Sequence, residues 1–168
     1  MNKLTMTRVP EVTWHFRKEG GWADIPSTDI FAGKRVVVFS LPGAFTPTCS
    51  SFQLPGYEEK YPEFMKYVDD VYCISVNDSF VMNAWFKDQN IENVKPIPDG
   101  SGEFTYAMGM SVNKANLGFG FRSWRYAMVV NNGEIEVMFE EPGKIGNCPV
   151  DPYEVSDPDT VLNYLKEQ

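Results

Sequence analysis

A chain of 168 residues with 43% hydrophobic and 23% charged side chains has the composition of a soluble globular protein, and is long enough to bury roughly 70% of its unfolded surface. With 15 basic residues against 23 acidic ones the net charge is −8, which argues against a nucleic-acid partner because such partners need clustered positive charge. The longest apolar runs are too short to cross a bilayer, and "MNKLTMTRVPEVTWHF" has no apolar signal core, so one cytoplasmic domain spanning 1–168 is expected.

In chain order, "VTWHFRK" and "WADIPS" flank Gly20-Gly21 and read as an N-terminal hairpin. "STDIFAG" is a short helical turn ended by Gly33. "RVVVFSL" is β-branched and apolar on both faces, the pattern of a strand buried inside a sheet. "YEEKYPEFMKYV" is helical, with Pro55 and Pro62 expected to kink or interrupt it. "VYCISV" is a second buried strand, and Asp78 or Ser79 can cap a helix "FVMNAWFKDQ". Asp99-Gly100 marks a turn before a short helix in "GEFTYAMGM". "WRYAMVVNNGEIEVMF" is a hairpin closed by Asn132-Gly133, and Asp157-Pro158 opens the last helix. The order β–α–β–α, hairpin, helix predicts an α/β fold with a mixed central sheet flanked by helices; a thioredoxin-like arrangement fits it.

"PGAFTPTCSSF", directly after the buried strand, surrounds Cys49 with prolines, threonines and a glycine rather than with a hydrophobic niche. That path delivers the thiol to the carboxyl end of a central strand, where α/β folds place their chemistry. If the helix begins near Thr48, Cys49 lies in its first turn, where free N–H groups favour a thiolate. A helix terminus supplies about 1 to 2 kcal/mol of such stabilisation, so a cation is needed as well. Arg122 and Arg125 in "FRSWRYAM" compete for that part, against the plain reading of each as a solvated charge; strand alternation favours Arg125. Thr46 and Pro47 have a plain reading as a turn and helix start.

The single histidine, His15, lies in the N-terminal hairpin, far along the chain from Cys49, which disfavours a Cys–His hydrolase. Three cysteines without a C-x-x-C pair disfavour a zinc site and a disulfide framework. "GFGFRS" lacks the third glycine and the following helix of a dinucleotide loop. Thiolate attack on a peroxide needs no general base, only an ionised sulfur and donors for the oxygens.

"PGAFTPTC" resembles the peroxiredoxin signature P-x-x-x-T-x-x-C through Pro42, Thr46 and Cys49. "VYCISVNDSFVMNAW", "IPDGSGEFTYAMGM" and "LGFGFRSWRYAMVV" extend the likeness to the type II, peroxiredoxin-five-like branch, from about Lys34 to the last helix. The resemblance implies a thioredoxin-like fold, a homodimer, and no metal or organic prosthetic group. It implies a thiol-dependent peroxidase acting on hydrogen peroxide and small organic hydroperoxides. Cys49 would be the nucleophile that becomes a sulfenic acid, and Thr46 would bond sulfur and peroxide. Pro42 would shield the sulfenic acid from water, and Arg125 would hold the thiolate and the developing oxyanion.

For the reset step three routes stand open. Cys73, in the middle of "VYCISV", reads as a buried core residue, although some relatives use the matching cysteine to resolve the sulfenic acid. Cys148, in "PGKIGNCPVDPY", lies in a segment with the composition of a mobile surface loop. An external thiol is the third route, with glutathione, glutaredoxin or thioredoxin as partner. A non-enzymatic redox sensor or binding module on the same fold is the rival class.

Overall fold

The computed structural model describes residues 7–168, so the first six residues of the stretch read for a signal lie outside it. Its centre is a five-stranded sheet in the order β5-β4-β3-β8-β9. The strands are β3 (Arg35–Ser40), β4 (Asp70–Ser75), β5 (Lys95–Pro98), β8 (Tyr126–Asn131) and β9 (Glu134–Glu140). β3, β4 and β5 run parallel, while β8 and β9 are antiparallel to their neighbours, so the sheet is mixed. Outside it, β1 (Thr13–Lys18) and β2 (Gly21–Pro26) form the N-terminal hairpin, with every residue of β1 paired.

The continuous apolar pattern of β3 follows from burial on both faces. Val37 and Phe39 pack into one core with Leu54 and Tyr57 of α2 (Leu54–Phe64), Met82 and Trp85 of α3 (Ser79–Asp88), and Leu162 and Leu165 of α5 (Pro158–Lys166). Val36 and Val38 point the other way. They meet Trp14 of the hairpin, Phe31 of α1 (Ser27–Phe31) and Phe104 of α4 (Glu103–Ala107). The Phe39 ring stacks on Tyr57 with centroids 4.0 Å apart, joining the strand that leads into the cysteine segment to the helix that leaves it.

The caps match the sequence reading. Asp78 accepts from Val81 N at the start of α3, and Asp157 from Thr160 N at the start of α5. Asn132 and Gly133 take positive φ values of 50° and 80°, the conformation a type I′ hairpin turn demands.

Three elements differ from expectation. Helix α2 runs through Pro62 to Phe64 without interruption, and Pro55 stands directly after the π-helical turn Cys49–Gln53 that leads into it. β5 carries Pro96 and Pro98, a composition that conceals a strand and is tolerated because β5 is an edge. A small hairpin of β6 (Ser111–Asn113) and β7 (Phe121–Ser123) precedes β8, so Trp124 and Arg125 link two strands rather than extend one.

Candidate active site

Residues Leu41 to Ala44 leave β3 buried, and polar contacts pin each turn of the path. The Arg122 Nη1 donates to the Pro42 carbonyl (3.0 Å), and the Thr46 hydroxyl to the Gly43 carbonyl (2.7 Å). The Ala44 N–H reaches Asn77 Oδ1 (3.0 Å), which also accepts from the Ser75 hydroxyl at the end of β4 (2.7 Å). Phe45 then adopts φ = 65°, an uncommon conformation for an aromatic residue, and the chain reverses into a helix starting at Pro47.

Cys49 enters in the first turn of that helix, among amides that have no carbonyl ahead of them to bond. Cys49–Gln53 is a π-helical turn in which the Leu54 N–H bonds the Cys49 carbonyl, five residues back. Cys49 and Gln53, four residues apart across this turn, are both fully buried. The Trp85 indole N–H anchors the turn from α3 through Ser50 Oγ (3.0 Å).

The cation at the sulfur is Arg125. Its side chain is only 1% exposed, and its Nη1 lies 3.5 Å from Cys49 Sγ while also donating to Gln53 Oε1. Its Nη2 makes a forked pair with both oxygens of Asp151 (2.7 and 2.8 Å). Burial works against this charge, but Cys49 and Asp151 outweigh it and hold the guanidinium above its ordinary value. Arg122 is different: burial pulls it below the ordinary value, with Cys49 opposing, and it bonds the Pro42 carbonyl rather than sulfur.

Cys49 and Arg125 thus meet directly, while Pro42 and Thr46 lie on the segment that leads from β3 to Cys49 and bond Arg122 and Gly43. The Thr46 hydroxyl hydrogen is held by Gly43 O, not by the sulfur. Cys73 is buried in the same core as Cys49; burial pushes its thiol well up, Cys49 adds to this, and Arg125 opposes it. Cys148 is half-buried against the core on the opposite face of the sheet. His15 bonds Asp24 on the exposed side of the hairpin (2.7 Å). Among the described residues no three His, Cys, Asp or Glu side chains gather as a metal site.

Sequence reasoning missed Gln53 and Asp151. Gln53 stands at i+4 from Cys49, so helical spacing alone marks it as sharing a face with the thiol. Asp151 had no local signal; only the rule that a buried arginine needs an acid points to such a partner.

A buried arginine against a thiol in the first turn of a helix, on a thioredoxin-like sheet, places a fixed cation beside a buried sulfur. The sequence matches the Redoxin family over residues 7–162. It is 63% identical over 146 residues to a peroxiredoxin of Rhizobium etli, covering 86% of this chain and 82% of that protein. It is 55% identical over 169 residues to the hybrid peroxiredoxin hyPrx5 of Haemophilus influenzae, covering 100% of this chain and 68% of the relative. The crystal structure of the Plasmodium falciparum antioxidant protein, described as a 1-Cys peroxiredoxin, superposes with a TM-score of 0.91 at 38% identity, covering 96% and 98% of the two chains. The chain belongs to the peroxiredoxin family, in its peroxiredoxin-five-like branch, and is a thiol peroxidase.

Proposed function

We propose that this peroxidase uses Cys49 as its nucleophile against hydrogen peroxide and small organic hydroperoxides, and that glutathione, with glutaredoxin, resets it. The observation that carries the first part is the 3.5 Å contact between Arg125 Nη1 and Cys49 Sγ. The Cys49 thiolate attacks the hydroxyl oxygen of the peroxide, the S–O bond forms as the O–O bond breaks, and the alkoxide or hydroxide leaves. Cys49 becomes a sulfenic acid and the departing oxyanion takes a proton from water. Arg125 supports the negative charge as it moves from sulfur to the leaving oxygen, the place where fixed donors accelerate most. With its hydrogen on Gly43 O, Thr46 Oγ1 acts toward substrate as an acceptor for the peroxide O–H. Pro42, buried at the mouth of the turn and held through its carbonyl, keeps water from the sulfenic acid.

The positions of the other thiols support this reset. Cys73 would have to leave a fully buried strand position, and Cys148 packs on the far side of the sheet. An external thiol needs only the first helical turn to open around Cys49, which is 0% exposed as folded. Attack by glutathione releases water and leaves a mixed disulfide; a second glutathione, delivered through glutaredoxin, frees Cys49 and carries off oxidised glutathione. The relative described as a 1-Cys peroxiredoxin supports this route. Three free cysteines suit a reducing cytoplasm. A groove flanked by Tyr106 and Phe121, 79% and 65% exposed, supports a homodimer.

Turnover of hydrogen peroxide with glutathione and glutaredoxin tests the proposal. The Cys73→Ser, Cys148→Ser double variant should retain most of the wild-type rate, and Cys49→Ser should have none. Loss of turnover in the double variant with fast first oxidation would establish an internal resolving cysteine. Single-turnover peroxide consumption by Cys49→Ser would remove the nucleophile assignment.

A further inference from the structure

The segment 142–157 between β9 and α5 contains no helix or strand, yet it is closed like a clasp. Glu141, fully buried, accepts from the N–H groups of Glu154 (2.8 Å), Val155 (3.0 Å) and Ser156 (2.8 Å) and from the Ser156 hydroxyl (2.6 Å). One carboxylate therefore fixes both ends of the segment. The Tyr57 hydroxyl holds Ser156 O from below (2.6 Å), and Asn147 N bonds Asn113 O along the outer edge (2.7 Å). The same Glu141 reaches back to the catalytic strand junction: its N–H bonds Arg125 O (3.2 Å), and its carbonyl accepts the Trp124 indole N–H (2.7 Å).

What the clasp presents to the site is Asp151 and Tyr153. Both oxygens of Asp151 accept from Arg125 Nη2, and the Tyr153 ring centroid lies 5.7 Å from the guanidinium carbon. Arg125 Nη1 is left for Cys49 and Gln53, and its Nε has no partner among the described residues. A guanidinium is a rigid plane, so a forked acid on Nη2 sets the direction of Nη1. Without Asp151, Gln53 and the ring of Tyr153 remain, and neither fixes the plane in two directions.

We propose that Asp151 is a positioning residue for the peroxidase reaction: its forked pair aims Arg125 Nη1 at the sulfur and at the leaving oxygen, and the Glu141-closed segment exists in part to deliver it. This rests on the reading of Arg125 given above. Asp151 adds no catalytic charge of its own; its negative charge opposes thiolate formation. Its contribution is therefore one of aim, so it should appear in a step that needs a directed donor and not in one that needs only a nucleophilic sulfur. Peroxide cleavage is the first kind. Alkylation by neutral iodoacetamide is the second, because the leaving iodide is not placed against Arg125.

The experiment measures both rates on the full chain at neutral pH. Asp151→Asn should slow oxidation of Cys49 by hydrogen peroxide about 10- to 100-fold, the loss typical of a misaligned reacting group. Its iodoacetamide rate should stay within about threefold of wild type or rise when both rates are measured well below the thermal midpoint, which falls because a buried arginine loses its ion-pair partner. Asp159→Asn, which removes an equal charge from the exposed start of α5, should alter neither rate. Arg125→Ala serves as the reference. If Arg125→Ala slows oxidation and Asp151→Asn does not, Asp151 has no positioning part. If both rates of Asp151→Asn fall together, the residue acts only on local folding and the proposal also fails. If Arg125→Ala itself oxidises at the wild-type rate, the fault lies in the assignment of Arg125.

Discussion

Arg122 and Arg125 serve opposite ends of the cysteine segment: Arg122 Nη1 holds the Pro42 carbonyl at 3.0 Å, and Arg125 Nη1 reaches Cys49 Sγ at 3.5 Å. Two guanidiniums three residues apart thus divide the work, one supporting the backbone that shapes the pocket and the other touching the sulfur. The division arises because Arg122 lies in β7 while Arg125 lies past its end, after the chain has turned toward β8.

Replacing them separately should expose that division. Arg125→Ala is expected to slow Cys49 oxidation by about one to three orders of magnitude, as removal of an oxyanion donor does elsewhere. Arg122→Ala should cost about tenfold or less. Stopped-flow intrinsic fluorescence, with Trp85 anchored to the cysteine turn as reporter, measures both; the reverse ranking would exchange their roles.

Gly43 offers an independent route to the same contact. A Cβ there would overlap Arg122 Nη1, so Gly43→Ala must push the guanidinium away from the Pro42 carbonyl. Its effect on oxidation should match that of Arg122→Ala, and the double variant should be no slower than the worse single one. Additive losses in that double-mutant cycle would show that the glycine matters for another reason.

Alkaline stability should reflect the buried acids of the core. Burial raises Cys73 and Tyr57 well above their ordinary values of 9.0 and 10.0, and Tyr72 up to about 12. Each folded value exceeds the unfolded one, so the folded state holds these protons more tightly. Their stabilisation is complete below the unfolded values and disappears as pH rises through the folded ones. Urea midpoints should therefore fall from about pH 9 upward. Tyr57→Phe loses its bond to Ser156 O, lowering stability at pH 7 by about 1 kcal/mol, and should make the alkaline fall shallower. An unchanged slope in that variant would show that Tyr57 does not contribute to it.

Much of this molecule can be read from residue patterns, and the exceptions have physical causes. The strands of the sheet interior announce themselves because burial on both faces demands unbroken apolar runs, as in Val36 to Phe39. The caps Asp78 and Asp157 are legible because a helix end needs a local acceptor. β5 is not, since its two prolines are admissible only on an edge, and being an edge is a property of the assembled sheet. In the site, the thiol and its threonine share one short stretch, whereas Asp151 comes to Arg125 from a segment closed by Glu141 and without periodicity.

Those same prolines have a consequence for solution behaviour. Asp99 N bonds Ser75 O, so the odd-numbered amides of β5 face β4, and positions 96 and 98 face outward. Both outward positions lack an N–H, leaving that border of the sheet with acceptors and no donors. At the opposite border, Val9 N and Thr7 O bond Gly133 O and Ile135 N, occupying the start of β9. A second chain extending the sheet by strand addition would meet an unpairable margin on one side and a partly occupied one on the other. Fibrillar stacking through the β5 border is thereby closed off, and a concentrated solution of the folded protein should resist strand-mediated aggregation there.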